Sequence, residues 1–378
     1  CWKGDCILVN NTLVDNDPGD YGEGVALADG AHRLRNNIIV GHDVGVYRAA
    51  GTVDLDYNDY YDNDTDVDGA AWGSHHLADD PQFEGRAALD YHLSLSSLLI
   101  DQGDSDVEVP SDFEGDPRPR GGGYDIGADE AYPVEVYVSV HVGNDVTGDG
   151  SSGGPFATVT KGLNEVRSGG TVYVGRGTYA ERITVTRSVE LLGGYEEGDW
   201  ERDIDSHATT LDAEGTGTVV TVWGDGIAAT VEGFTITGGE ASGIGGSGGG
   251  VVVGDGAGTT LRHNMITGNH ASNGGGGVLV WGDEDAGSVI DSNRIFANTA
   301  DGVFAFSPVG AAEAEAPQQG PEPGGGILFG GPGRVVNNVI YGNHSGFGGD
   351  GMALSDWGGP MEVFHNTVAD NGSEEGVG

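Results

Sequence analysis

Short apolar stretches alternate with polar residues and glycine along the chain, and one unit recurs. An apolar strand is followed by Asn-x-[Ile/Val]-x-x-Asn, and glycines then lead into a second apolar strand. The asparagine units are Asn11–Asn16, Asn264–Asn269, Asn293–Asn298, Asn338–Asn343 and Asn366–Asn371, and a variant unit runs from Asn37 to His42. The strands after the glycines begin 25 to 27 positions apart, as from Val251 to Val278 and from Ile327 to Met352. Such a period is typical of stacked repeats.

A repeat of this length holds two or three short strands and cannot bury its apolar face alone, so neighbouring repeats must stack. Each strand then pairs with its equivalent one coil along, about 4.8 Å away. Asparagine at a fixed position suits this architecture because it tolerates left-handed turns and its amide can bond the next asparagine in a ladder. The pattern predicts an all-β fold, a parallel β-helix. The leucine positions of leucine-rich repeats are missing, and Gly348–Ala353 lacks the sixth-position Asp of calcium-binding nonapeptides.

The repeats break between about Trp72 and Pro133. This segment resembles the C-terminal part of the choice-of-anchor Q domain, which follows β-helix repeats in bacterial surface proteins, over roughly residues 55–132. The motifs that carry the resemblance are Asp80-Pro-Gln-Phe83, Asp90-Tyr-His-Leu93, Ile100-Asp-Gln-Gly103, Asp116-Pro-Arg-Pro119 and Tyr124-Asp-Ile-Gly-Ala-Asp-Glu130. The resemblance implies a terminal cap on a right-handed β-helix of the pectate-lyase-like superfamily, in an exported protein, and no catalytic residue.

A second solenoid begins after this cap. Val136–Asp145 reads as a strand, and Val159, Leu163 and Val166 lie at helical spacing, which predicts a short helix near 157–167. This start resembles that of pectate-lyase-like β-helices, where a small amphipathic helix covers the open end. We therefore expect coils of a first β-helix in 1–70, a cap in 71–132 and a second β-helix in 133–378. The second β-helix would carry a loop insert near 309–323 and continue beyond its C-terminus.

The charge balance narrows the choice of partners. The chain has 378 residues, with 60 Asp and Glu against 16 Lys and Arg, and a formal charge of −44. Nucleic acid is excluded as a partner because its binding needs cations that displace counterions. No apolar run is long enough to span a membrane. An acidic surface with two lysines stays soluble at high ionic strength, which fits a halophilic or marine bacterium. For Cys1 and Cys6 we favour two unrelated small core residues over a disulfide or a lipidated Cys1.

Three arginines are the candidates for chemistry. Arg262 and Arg334 precede the asparagine unit of their repeat, and Arg294 lies inside it, directly after Asn293. Polysaccharide lyases on this fold combine calcium-binding carboxylates with an Arg or Lys base, and a row of arginines could grip uronate carboxylates. Solvent-facing strand positions are the simpler interpretation. Arg118-Pro-Arg120 lies in the cap and is better explained there, and evidence for hydrolysis by paired aspartates is weak.

Aromatic and acidic residues recur at one position of the repeat. Val222-Trp-Gly-Asp225 and Val280-Trp-Gly-Asp283 share a phase, and Phe329 and Asp356-Trp-Gly follow further on. Stacking predicts a row of aromatic rings and carboxylates, which we call the Trp edge, able to contact sugar rings and hydroxyls. The simpler interpretation is a turn. The predicted carbohydrate-binding residues are Trp223, Asp225, Asp255, Trp281, Asp283, Asp356 and Trp357.

Calcium is the one cofactor that the sequence suggests. Asp64, Asp66, Asp68 and Gly69 fit the opening of an EF-hand-type loop, although its twelfth position is His75 rather than Glu. Asp145 and Asp149 form a second acidic cluster. A solvated acidic loop is the default interpretation of both.

Three functions follow from these features. The first is a secreted or cell-surface β-helix protein, not an enzyme, that acts as an adhesin or stalk and contacts polysaccharide or cell-envelope glycan. The second is a calcium-dependent lyase or epimerase of uronate polymers. The third is a structural filament or spacer, in which further coils or copies of the chain stack on the truncated ends.

Overall fold

The computed structural model describes residues 1, 3–16, 22–242, 246–281, 287–301, 324–346, 349–355 and 360–372. The chain divides into two compact units, Cys1–Pro133 and Val134–Gly378. The loop insert predicted near 309–323 lies outside the described residues.

The N-terminal unit contains three three-stranded parallel sheets, N1, N2 and N3, each built from one strand per coil. The strands of N1 are Ile7–Val9, Ala31–Arg35 and Thr52–Asp56. Those of N2 are Thr12–Val14, Ile38–Val40 and Asp59–Tyr61. Those of N3 are Glu23–Leu27, Val44–Arg48 and Thr65–Asp68. A core of small and branched apolar side chains, among them Leu34, Ile39 and Val46, fills the space that the sheets enclose.

The segment after these coils covers a sheet face. The strand Phe83–Gly85, a 3-10 turn at Arg86–Ala88 and the antiparallel strand Asp90–Leu93 form a hairpin. Leu93, Leu99 and Ile126 pack with Ile38 and Val40 of sheet N2 in a second core. These residues therefore lie against the outer face of N2.

The disulfide Cys1–Cys6 lies at the start of this unit. Cys1 is exposed and Cys6 half-buried, so the preference for two unrelated core residues was wrong. Sequence reasoning erred because a close pair of cysteines looks the same in both interpretations.

The C-terminal unit repeats the plan over more coils, with parallel sheets C1, C2, C3 and C4. The strands of C1 are Glu135–Val138, Thr171–Gly175, Glu190–Tyr195, Ala228–Glu232, Gly258–Arg262, Ser288–Asp291, Gly333–Val336 and Met361–Phe364. Those of C2 are Gly177–Tyr179, Thr209–Asp212, Phe234–Thr237, Met265–Thr267, Arg294–Phe296, Val339–Tyr341 and Thr367–Ala369. Those of C3 are Ile183–Val185, Val220–Trp223, Val251–Gly254, Val278–Trp281, Ile327–Gly330 and Met352–Ser355. Those of C4 are Glu240–Ala241, His270–Ala271, Thr299–Ala300 and His344–Ser345.

Helix α1, Val159–Glu165, packs against the first coils of the C-terminal unit. Thr158 caps it by accepting a hydrogen bond from the backbone N–H of Lys161. The predicted apolar face is buried, since Val159, Leu163 and Val166 are at most 4 % exposed. Gly162 permits the close approach, because a Cβ there would lie 2.6 Å from a methyl group of Val138. The helix therefore covers apolar side chains of the first coils.

Two asparagine ladders run through the C-terminal unit on either side of sheet C2. One joins Asn264, Asn293, Asn338 and Asn366, and the other joins Asn269, Asn298, Asn343 and Asn371. Each amide nitrogen donates to the side-chain oxygen of the next asparagine at 3.0–3.1 Å. The N-terminal unit has the same arrangement at Asn11, Asn37 and Asn58. These ladders and the parallel registers confirm the predicted parallel β-helix.

The left-handed turns fall on the residue before each ladder asparagine. His263, Ser292 and Asn337 have φ of 53°, 57° and 57°. From the sequence, this conformation was expected at the ladder asparagines themselves. The ladder asparagines lie next to the bend in the backbone. Their side chains can therefore form hydrogen bonds with the buried amide and carbonyl groups that the bend leaves without backbone partners.

Candidate functional site

The Trp edge lies where the strands of sheet C3 end. Trp223 pairs with Gly254, and Trp281 pairs with Gly330, while Val253 pairs with Val280. Large rings and glycines therefore alternate from coil to coil. A Cβ on Gly254 would lie 2.6 Å from the six-membered ring of Trp223, so this ring lies against the glycine backbone. Trp223 keeps 42 % of its surface exposed, and Trp281 is half-buried.

The acidic part of the Trp edge follows in the turns that lead to sheet C1. Asp225 and Asp255 are exposed and lie in successive coils. A Cβ on Gly256 would lie 2.7 Å from a carboxylate oxygen of Asp225, so this carboxylate reaches toward the next turn. Phe329, expected in the row, is instead fully buried, because it pairs with the inward-facing Val280. Asp283, Asp356 and Trp357 lie outside the described residues.

The three candidate arginines do not form one row. Arg262 pairs with Asp291 in sheet C1, Arg334 pairs with Val289 and Glu362 in the same sheet, and Arg294 lies in sheet C2. The structure therefore places the three arginines at separate strand positions rather than in one row, and Arg294 and Arg334 are exposed. The cause is register, because Arg262 and Arg334 precede the asparagine unit by two and four residues whereas Arg294 lies inside the unit, so the three fall on different positions of the coil.

Glu232 contacts two arginines and a histidine at the corner between sheets C1 and C2. Its carboxylate lies 2.5 Å from Nε of Arg262, 3.2 Å from a guanidinium nitrogen of Arg202 and 3.3 Å from Nδ1 of His263. Burial raises the pKa of Glu232, but the hydrogen bond from Arg262 and the charges of Arg202 and Arg262 outweigh it, and the pKa lies below its usual value. The cluster is a charged network that holds His263 at the surface.

A groove of about 330 Å³ lies beside this network on the outer face of sheet C2. Asp205, Thr235, His263, Ser292 and Arg294 supply its polar lining. Apolar side chains complete the wall: Ile204, Ala208, Phe234 and Met265. Of the three candidate arginines, only Arg294 lines this groove. Sequence reasoning missed the groove because its residues come from four separate coils.

An aromatic cluster on the outer face of sheet C1 was also missed. Tyr137 stacks on Tyr173 with ring centres 4.9 Å apart. Trp200 makes an edge-on contact with Tyr137, and Tyr195 makes one with Tyr173. Burial, together with the Glu135 carboxylate, raises the pKa of Tyr173 to about 12. The signal was present in the sequence, because Val136-Tyr-Val and Val172-Tyr-Val occupy the same phase.

The first predicted calcium site has the wrong backbone for an EF-hand-type loop. Residues Thr65–Asp68 form a strand of sheet N3, so Asp66 and Asp68 lie along an extended chain, and Asp64 precedes it. Asp66 accepts a hydrogen bond from Asn63. An extended strand does not wrap its carboxylates around one ion.

The second predicted cluster has internal partners. Asp145 accepts hydrogen bonds from the backbone N–H groups of Ala157 and Thr158 and from the Thr158 hydroxyl. Asp149 accepts one from Ser151. Among the residues that the structure describes, no group of three or more His, Cys, Asp or Glu side chains is placed to hold a metal ion.

Comparison with known proteins bears on the fold of the C-terminal unit. Residues 213–378 match the family model described as a right handed beta helix region. The architecture is a right-handed parallel β-helix. No curated protein matches the chain. In the described ranges, no helix has the length and apolar character needed to cross a bilayer.

Proposed function

We propose that this β-helix protein is secreted or held at a bacterial cell surface and acts as an adhesin or stalk that contacts polysaccharide. The contact would be made along the Trp edge of the C-terminal unit. The observation that carries the proposal is the register of Trp223 and Trp281, which lie two coils apart on the same line.

The geometry of the Trp edge suits a linear glycan. Two coils correspond to about 10 Å along the solenoid axis, a distance comparable with a disaccharide. The Trp223 ring, supported by Gly254, offers an apolar surface to the C–H face of a sugar, and Asp225 and Asp255 offer acceptors to its hydroxyls. A polymer lying along the axis would meet Trp223 and, two coils further on, Trp281.

Two features support export. A Cys1–Cys6 disulfide persists in oxidising compartments and is rare in the cytosol. The resemblance of residues 55–132 to a choice-of-anchor Q segment points to the same location. The stacking of coils, each needing only its neighbours, suits a stalk.

Retention on immobilised polysaccharides tests this function. We expect wild-type protein to be retained on at least one polymer of a panel of neutral and uronate polysaccharides, and Trp223→Ala to lose most of the retention. Trp223→Tyr should keep it because an aromatic face remains. As a matched control, Phe113→Ala removes an aromatic side chain that is 59 % exposed in the other unit, and retention should not change. Equal retention of Trp223→Ala and wild type would refute the Trp edge.

A second candidate is a calcium-dependent lyase or epimerase acting on uronate polymers. The observation that favours it is the presence of Arg294, His263 and Asp205 in one groove, since a lyase needs a base beside bound substrate. The test is to incubate the protein with the same panel of polysaccharides, first with calcium and then with a chelator, and to measure new unsaturated chain ends. Calcium-dependent ends that disappear in Arg294→Gln would replace the adhesin with the enzyme.

A further inference from the structure

We propose that the groove on sheet C2 is a second glycan site, distinct from the Trp edge, that binds an anionic sugar through Arg294. The anionic group is a carboxylate or a sulfate, which share the oxygen geometry that a guanidinium grips with two hydrogen bonds. The inference rests on the proposed function only in taking the ligand to be a glycan.

Arg294 has no ion pair with any of the residues that the structure describes. The chain has 60 Asp and Glu against 16 Lys and Arg, and Arg202, Arg262 and Arg334 all form ion pairs with carboxylates. Arg294 is exposed and, within the part of the chain that the structure describes, has no carboxylate within 4.0 Å. In so acidic a protein, a guanidinium left without a partner beside a groove is available to an anion from outside.

The groove has a cationic end and an acidic end. In the register of sheet C2, Thr210 pairs with Thr235, Thr235 with Met265, and Met265 with Arg294. Three coil steps of about 4.8 Å therefore separate Arg294 from the coil that carries Asp205 and Thr209, or about 14 Å. Asp205 thus lines the same groove without pairing with Arg294. A ligand lying along the axis places its anionic group at Arg294 and its hydroxyls toward Asp205.

His263 and Ser292 complete the cationic end. Glu232 holds His263 through Nδ1, which leaves Nε2 as the ring nitrogen available to a ligand. Both His263 and Ser292 have left-handed backbone conformations, so the bend before each ladder asparagine directs them into the groove wall. The ladder therefore fixes the position of the groove's polar groups.

The walls suit a sugar better than a bare ion. Ile204, Ala208 and Met265 offer apolar surface, while Thr235 and Ser292 offer hydroxyls. Such mixed lining matches a sugar ring, which has C–H faces and polar edges. The volume of about 330 Å³ is at the lower end of small-molecule sites and accommodates a short oligosaccharide.

Calorimetric titration of the full chain at fixed ionic strength tests the site. The probes are a galacturonate trimer, a sulfated galactose trimer and a neutral cello-oligosaccharide. We expect one of the two anionic trimers to bind, and Arg294→Gln to weaken its binding at least tenfold, as for the loss of a charge-assisted hydrogen bond. The comparison of the two trimers identifies carboxylate or sulfate as the recognised group.

Arg182→Gln is the matched control, because Arg182 is also exposed and without an ion pair in the described structure but lies outside the groove. Its affinity should equal that of wild type. Unchanged affinity in Arg294→Gln, equal loss in Arg182→Gln, or no binding of either anionic trimer would each overturn the proposal. Trp223→Ala separates the two sites: its retention on polysaccharide tests the Trp edge, and its trimer affinity should be unaffected.

Discussion

Glu232 shows how a single side chain organises a surface in an acidic protein. It is the shared partner of Arg202, Arg262 and His263, and its side chain is only 9 % exposed. The guanidinium groups of Arg202 and Arg262 would repel each other without it. The network therefore stabilises the corner between C1 and C2, and at the same time it fixes the ring that lines the groove.

Glu232→Gln should destabilise the C-terminal unit at pH 7 by about 1–3 kcal/mol, because it removes the nearly buried carboxylate that pairs with both Arg202 and Arg262. The pKa of Glu232 is lowered in the folded state, so its contribution is present above the unfolded pKa of about 4.3 and is lost as the pH falls through the folded value. The difference between variant and wild type in urea unfolding should therefore narrow below about pH 4.

Glu362→Gln is the matched control for this measurement. Glu362 pairs with Arg334, and both side chains are at least half exposed. Exposed ion pairs contribute under about 1 kcal/mol. If Glu362→Gln lowers the free energy of unfolding as much as Glu232→Gln does, burial of the carboxylate is not what makes the Glu232 network stabilising.

At the scale of elements, the asparagine ladders connect sheets that share no strand pairing. Asn298 accepts from Asn269 and donates to Asn343 and to the backbone carbonyls of Ile266 and Phe296. It also accepts from the backbone N–H of Asn269. Asn298 thus satisfies groups in three successive coils.

Asn298→Ala should cost about 3–5 kcal/mol, since it leaves several buried polar groups without partners. The measurement is chemical unfolding of the C-terminal unit followed by circular dichroism. Thr299→Ala alters the next residue, which is half-buried and outside the ladder, and should cost under 1 kcal/mol. Similar losses in the two variants would show that the ladder does not carry the stability assigned to it.

The ladders, the strands and α1 could be predicted because repeats impose one pattern many times. The placement of Arg262, Arg294 and Arg334 could not be predicted, because a shift of one residue in strand register moves a side chain to the opposite face of the sheet. The packing of Leu93 and Ile126 on sheet N2 was also beyond reach, since it occurs once and has no period. The groove and the Glu232 network depend on such single contacts between coils.

At the scale of the whole molecule, the charge of −44 dominates, and some of it lies inside the N-terminal unit. Burial raises the pKa of Asp59 and Glu130 to about 7 and that of Asp125 and Asp129 to about 6. Arg118 lies within 4.0 Å of Glu130, and both side chains are fully buried. The Arg-Pro-Arg sequence therefore has a structural role in this unit.

These carboxyls predict a molecule that is more stable in weak acid. Their pKa values are raised in the folded state, so the unit is favoured below the unfolded values near 4 and loses stability as the pH rises through 6 and 7. The melting temperature should fall between pH 5 and pH 8. Asp129→Asn should flatten this dependence, because it removes one buried charge and keeps an acceptor for the backbone N–H of Leu93. A melting temperature that rises over this range would contradict the prediction.

Salt should stabilise the protein through screening. Raising NaCl from 0.1 to 1 M shortens the Debye length from about 10 to 3 Å and weakens the mutual repulsion of the surface carboxylates. We expect the melting temperature to rise, and CaCl₂ at equal ionic strength to raise it further only where carboxylates coordinate the ion. If the melting temperature rises equally in NaCl and in CaCl₂ at the same ionic strength, calcium is not a cofactor.

The same ladders determine how the protein unfolds under a pulling force. Because a ladder asparagine bonds to its neighbours in the adjoining coils, tension applied to the chain peels off one coil at a time and does not rupture the whole core at once. The coil between Asn264 and Asn293 spans 29 residues and would release about 100 Å of extended chain. A stalk of this construction lengthens in steps under load and keeps its remaining coils, and the surfaces on them, intact.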